Sequence, residues 1–151
     1  LPDQVPPRPP LPSCEDAERA LLGAVLLDEA QVWAEGCGSV AIADFHYPLH
    51  RAIWEAMLRL RAEHTTIDGI TLVDMLARLG YLEAVDKLCH PVATEAFFIG
   101  LWADTWASRG CSAHAKMITE YAERRRMIEA GITMVNAGMR GRDASPAIYE
   151  R

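Results

Sequence analysis

The sequence predicts an all-α fold: a compact orthogonal helical bundle of about six helices, followed by a long helix that opens a helical hairpin. Three observations lead there. Apolar residues recur at intervals of three and four through most of the 151 residues. Capping residues and glycines punctuate those patterns where helices should start and stop. No segment rich in β-branched residues alternates with polar ones, and no strand-helix-strand repeat appears.

The first twelve residues, LPDQVPPRPPLP, hold six of the nine prolines. They can form neither helix nor central strand and read as an extended arm of polyproline type. Ser13, with Asp16 three residues on, offers a cap, so a helix starts there and carries Ala17, Ala20, Leu21, Ala24 and Val25 on one face. Small residues dominate that face, and Gly23 adjoins it, which permits close packing by another helix. Asp28 caps a second, short helix to Glu35, stopped by Gly36 and Gly38. The third helix runs from Pro48 to Glu63, with Leu49, Ile53, Met57 and Leu60 as its core stripe. Asp68 caps a fourth through Leu72, Met75, Leu76 and Leu79, with Gly80 just past its end; Tyr81 and Leu82 resume the pattern to Leu88. Residues 94–108 form the sixth, in which Phe97, Phe98, Leu101, Trp102 and Trp106 anchor packing.

From Ser112 to Met139 one pattern continues for 28 residues, about 40 Å at 1.5 Å per residue. Met117, Tyr121, Ile128, Ile132, Val135 and Met139 follow spacings of four, seven, four, three and four, which is a seam for another helix. Gly141 ends this arm. Ser145 and Pro146 then supply a cap and a first-turn proline for a further helix, cut short at Arg151. The expected organisation is a Pro-rich arm over 1–12, a globular helical subdomain over 13–111, and a hairpin arm over 112–151 whose second helix is truncated. A first residue of Leu1 points to a trimmed or processed start.

Fifteen Lys and Arg against 21 Asp and Glu give a net charge of −6, which argues against direct gripping of a nucleic-acid backbone. Nothing approaches the run of about 18 apolar residues that a spanning helix needs, and no signal peptide is evident, so the expected location is cytoplasmic. Neither a G-x-x-x-x-G-K-[ST] phosphate loop nor a G-x-G-x-x-G turn nor a G-x-S-x-G elbow occurs. No catalytic residue and no cofactor is therefore expected in this chain. The four cysteines, Cys14, Cys37, Cys89 and Cys111, form no C-x-x-C pair and read as reduced thiols.

Two groupings bear on metal binding. His46 and His50 are four apart, but Pro48 belongs in a first helical turn and pushes Tyr47 toward extended backbone, which leaves His46 outside the helix that holds His50. His50 is then expected to satisfy a local hydrogen bond where the helix starts. Cys89 and His90 with Cys111 and His114 make a poor site, because neighbouring side chains diverge. The run Arg124-Arg125-Arg126 lies among Glu120, Glu123 and Glu129. It reads as a solvated face of ion pairs or as a surface for docking a partner, with Arg124 and Arg125 as the contact residues.

Four stretches resemble the N-terminal domain of the DnaB-type replicative DNA helicases of bacteria and their phages. CEDAERALLGAVLLD (14–28) is similar to that family's opening helix. DFHYPLHRAIWEAMLRL (44–60) carries its Asp-Phe, its His-Arg and its Ala-Met turn. TIDGITLVDMLARLGYLEAV (66–85) carries its Asp-x-x-Thr-Leu helix and Gly-x-Leu turn, and AHAKMITEYAERRRMIEAGITMVNAG (113–138) resembles the first helix of its C-terminal hairpin. Residues 31–43 and 85–93 depart from the pattern, as in a divergent member encoded by a phage or plasmid.

The resemblance implies a non-catalytic collar module that assembles as dimers, and as a ring in the full-length protein, and that docks primase or a helicase loader. ATP and Mg belong, on this reading, to a C-terminal motor domain. The self-association residues would be Met117, Tyr121, Ile128, Ile132 and Val135, and Arg124 and Arg125 would meet primase. Two alternatives differ in kind: a stand-alone accessory protein that mimics this domain to bind primase or block helicase assembly, and a small all-α metal-dependent enzyme using His46, His50, Cys111 and His114.

Overall fold

A computed structural model describes residues 9–105 and 109–140. Among them are six α-helices: α1 (Glu15–Ala34), α2 (Pro48–Ala62), α3 (Gly69–Arg78), α4 (Leu82–Cys89), α5 (Thr94–Ala103) and α6 (Cys111–Met139). Two 3-10 turns, Cys37–Ser39 and Ile42–Asp44, lie between α1 and α2. The described residues contain no strand. Helix α1 packs against α2, α5 and α6, while α2 packs against α3 and α4.

Local chemistry explains most of the boundaries. Helix α1 starts one residue later than a Ser13 cap requires: Cys14 holds the extended N-cap conformation and no side chain caps the turn. Glu15 and Asp16 complement the helix dipole there instead. Asp28 leaves helical geometry (φ −157°, ψ 85°), and its Oδ1 accepts the Gln31 N–H at 3.1 Å. The expected second helix is thus the far segment of a kinked α1, capped as predicted.

Tyr47 is the N-cap of α2 and Pro48 its first residue, so His46 falls outside the helix. Asp68 accepts the N–H groups of Ile70 and Thr71, and the Thr71 hydroxyl takes the Asp68 N–H in return. At the other end of α3, Gly80 has φ 76°. Its N–H meets the Ala77 carbonyl and that of Tyr81 the Leu76 carbonyl, a Schellman ending that requires the left-handed region.

The core gathers Leu21, Leu22 and Val25 of α1, Ile53, Trp54 and Met57 of α2, and Leu72 and Leu76 of α3 around Phe45. Leu49, expected in the core stripe, is only partly buried. Trp54 stacks on Trp33 at 5.8 Å and lies 5.4 Å from Phe45. Gly23 lets α5 approach, since a Cβ there would sit 2.5 Å from the Leu101 carbonyl oxygen. Helix α5 stops at Ala103, sooner than predicted, and residues 106–108, with Trp106, lie outside the described residues, as do 1–8 and 141–151. Of its aromatics Phe98 is buried, whereas Trp102 is 54 % exposed and does not anchor the packing.

Candidate assembly surface and its buried anchor

A charged residue on the inner face of α1 organises the first half of the site. Glu18 is 2 % exposed, and its carboxylate accepts the backbone N–H of His46 at 2.6 Å and that of Tyr47 at 3.4 Å. His50 Nδ1 faces Glu18 Oε2 at 2.7 Å. His50 is buried as well. It does take a hydrogen bond where α2 starts, but its partner lies on another helix rather than in its own turn. Glu18 thereby satisfies the N–H of the α2 N-cap and that of the residue before it, from 29 and 28 residues away.

The segment between α1 and α2 is fastened from several sides. Trp54 Nε1 donates to the Val40 carbonyl at 3.0 Å, and Arg51 Nε to the Phe45 carbonyl at 2.6 Å. From α6, Arg125 donates to the Pro12 carbonyl at 2.8 Å and to the Asp44 carbonyl, while Arg126 pairs with the Asp44 carboxylate at 2.8 Å. Arg125 is 6 % exposed, and burial lowers its pKa from the ordinary value. A guanidinium stays charged even so. This corrects the expectation that Arg125 docks a partner: it is buried, and it donates to two backbone carbonyls inside the fold. The hydrogen bond to Asp44 raises the pKa of Arg126. Arg124 is exposed and rests its guanidinium carbon 5.3 Å from the centre of the Tyr121 ring.

At the foot of α6 the cap comes from α1. Gly110 precedes the helix with φ 79° and no side chain. Glu35 supplies what is missing by accepting the N–H of Gly110 at 2.9 Å and of Ser112 at 3.3 Å. Its carboxyl is held down at about 2, chiefly by the Gln31 amide and then by the Gly110 N–H. Beside it, Cys37 Sγ lies 2.8 Å from Cys111 Sγ.

Among the described residues, one group of three candidate metal donors converges, and it is Glu35, Cys37 and Cys111. His46, His50, Cys89, His90 and His114 lie outside that group. Sequence reasoning gave no site role to Glu18, Asp44, Glu35 or Cys37. For Glu18 there was a signal: it sits three and seven residues before Leu21 and Val25, a charge on an apolar face.

Helix α6 carries two stripes. Cys111, Ala115, Ile118, Ala122 and Arg125 are buried against the rest of the fold. At 3.6 residues per turn the predicted seam (Met117, Tyr121, Ile128, Ile132, Val135) fits an arc of about 60°, centred about a quarter-turn from the buried stripe. Tyr121 and Ile132 are partly exposed, and Met117, Ile128 and Val135 are exposed at 37 %, 38 % and 61 %. From Arg126 to Arg140 every residue is exposed apart from Ile132. Arg124 lies on the edge of this stripe farther from the buried one.

The family profile described as the DnaB-like helicase N terminal domain matches residues 10–120. The chain belongs to that family. It is 27 % identical over 146 residues to the replicative DNA helicase DnaB of Leifsonia xyli subsp. xyli, a match covering 91 % of this chain and 27 % of the relative. The DnaB of Mycobacterium leprae is 26 % identical, with 85 % of this chain and 20 % of the relative covered. That of Buchnera aphidicola is 34 % identical over 79 residues, covering 52 % of this chain and 17 % of the relative. The chain thus spans about a quarter or less of the relatives it matches. The crystal structure of the N-terminal domain of DnaB helicase from Mycobacterium tuberculosis superposes with a TM-score of 0.77 at 24 % identity, covering 94 % of this chain and 95 % of that one. This places the α-helical architecture within the DnaB N-terminal fold. No helix among the described residues is long and apolar enough to cross a membrane.

Proposed function

We propose that this chain is the non-catalytic N-terminal collar domain of an ATP-dependent replicative DNA helicase, joining copies into dimers and a ring and docking primase or a helicase loader. One observation carries the reading: the long helix α6 keeps an apolar seam along its outer face that the described residues leave exposed or only partly covered. Met117, Tyr121, Ile128, Ile132 and Val135 form that seam and would pair with the same seam of a second copy. Arg124 borders it with an exposed guanidinium that would meet an acidic patch of primase. The family's helicase relatives, each far longer than this chain, support the wider role.

Sedimentation of the chain at concentrations on the order of tens of micromolar tests the assembly. The expected result is a concentration-dependent dimer that the double substitution Ile128→Ser and Val135→Ser returns to monomer, with the helical signal of the head retained. A parent protein that stays monomeric throughout, or a double variant that associates as well as the parent, would defeat the reading. In a pull-down with primase, Arg124→Glu should weaken capture while leaving the dimer intact.

A further inference from the structure

We propose that Glu35, Cys37 and Cys111 form a binding site for a thiophilic divalent cation of the Zn2+ type, which ties the end of α1 to the foot of α6. The two sulfurs and a carboxylate oxygen lie within 4.8 Å of one another. Cys37 and Cys111 are each 1 % exposed, and Glu35 is half-buried, which leaves one side open for a water as fourth ligand. Two thiolates and a carboxylate are a borderline-soft donor set, which suits Zn2+ better than Mg2+ or Ca2+.

The geometry needs a small adjustment. Two thiolates on one tetrahedral Zn2+, each at about 2.3 Å, stand about 3.8 Å apart. The sulfurs, now 2.8 Å apart, would have to separate by about 1 Å in all through side-chain rotation. Glu35 is already divided in its duties. Oε1 takes the Gln31 amide and the Gly110 N–H at 2.9 Å each, whereas Oε2 has the longer contacts, 3.3 Å to the Ser112 N–H and 3.4 Å to Cys111 Sγ. Oε2 can turn to a metal while Oε1 keeps capping α6.

The electrostatics point the same way. Three acidic groups meet, and no salt bridge joins Glu35 to a basic side chain among the described residues. A divalent cation would balance the charge that this donor set develops: each thiol gives its proton to solvent and each sulfur donates a pair to the metal, with two protons released per cation and no change of oxidation state.

The test titrates the full chain, reduced and stripped of metal, with Zn2+ and with Co2+ as a coloured probe. One equivalent should bind, with a thiolate-to-cobalt absorption band, release of two protons, a raised melting temperature and protection of two of the four thiols from alkylation. Cys37→Ser and Cys111→Ser should each bind at least about tenfold more weakly, Glu35→Gln should bind more weakly and still fold, and Cys14→Ser and Cys89→Ser should match the parent. Four thiols equally reactive with and without Zn2+ would overturn the site. So would binding unchanged in Glu35→Gln, or a reduced chain that takes up no metal and closes Cys37 to Cys111 as a disulfide in air.

Discussion

Residues 111–125 of α6 turn Cys111, Ala115, Ile118, Ala122 and Arg125 inward, whereas residues 126–139 leave Met127, Ile128, Met134, Val135 and Met139 to solvent. The two halves have comparable length and belong to one continuous helix. The proximal half is held by apolar contacts and by Arg125 on two carbonyl oxygens, with Arg126 on the Asp44 carboxylate at the boundary. Beyond Arg126 every described residue except Ile132 is exposed, and the helix carries Gly131 and Gly138, where an added side chain would meet nothing within 4 Å. An isolated helix of about that length is marginal in water, and each glycine weakens it by about 1 kcal/mol relative to alanine. A segment with those properties would gain stability from a partner, so the proximal half is architecture and the distal half is the part on which the proposed assembly rests.

The contrast can be broken most sharply from the buried side. Trp54→Ala removes the ring that stacks on Trp33 and should destabilise the chain by about 3–5 kcal/mol, read from the urea midpoint. Arg125→Met keeps the volume but strands the Pro12 and Asp44 carbonyls, so a loss of about 1–3 kcal/mol is expected. An unchanged midpoint would mean that the arm is not anchored there. Gly131→Ala sharpens the distal side. It should raise helical content and stability by about 0.5–1 kcal/mol in the monomer, and if two copies cross closely at that point it should weaken the dimer in sedimentation.

The smallest effect belongs to Glu35. Its folded-state pKa lies below its unfolded value, so the stability it contributes is present above about pH 4.5 and is lost as pH falls toward about 2. Melting temperatures of Glu35→Gln should accordingly depend less steeply on pH across that window than those of the parent.

Features set by neighbours in sequence were legible. The Asp68 cap, the Gly80 ending, the Pro48 start and the Asp28 cap each involve groups within a few residues of one another, and each stands where the pattern places it. Pairings across long separations were not. Nothing in the string of letters links Glu18 to His50, 32 residues apart, or Cys37 to Cys111, 74 apart.

The arginine run shows a finer limit. Successive residues step about 100° around a helix, so Arg124, Arg125 and Arg126 face three different surroundings, and only the phase of the buried stripe tells them apart. That phase was written in Cys111, Ala115, Ile118 and Ala122, whose spacing leads on to Arg125. Apart from Ile118 these are small side chains, and the outer seam carries a larger apolar signal.

The two grips on α6 have a mechanical consequence. Arg125 is tied to the Pro12 and Asp44 carbonyls, and Glu35, past the kink at Asp28, holds the foot. Those grips are about 14 residues apart, or about 21 Å, and the tip at Met139 lies about the same distance farther on. A helix pinned in this way is a lever whose aim is set by its supports. With the foot as pivot, a sideways error of about 1 Å at Arg125 becomes about 2 Å at the tip, so the accuracy with which two copies could meet is decided inside the head rather than at the surface where they would touch.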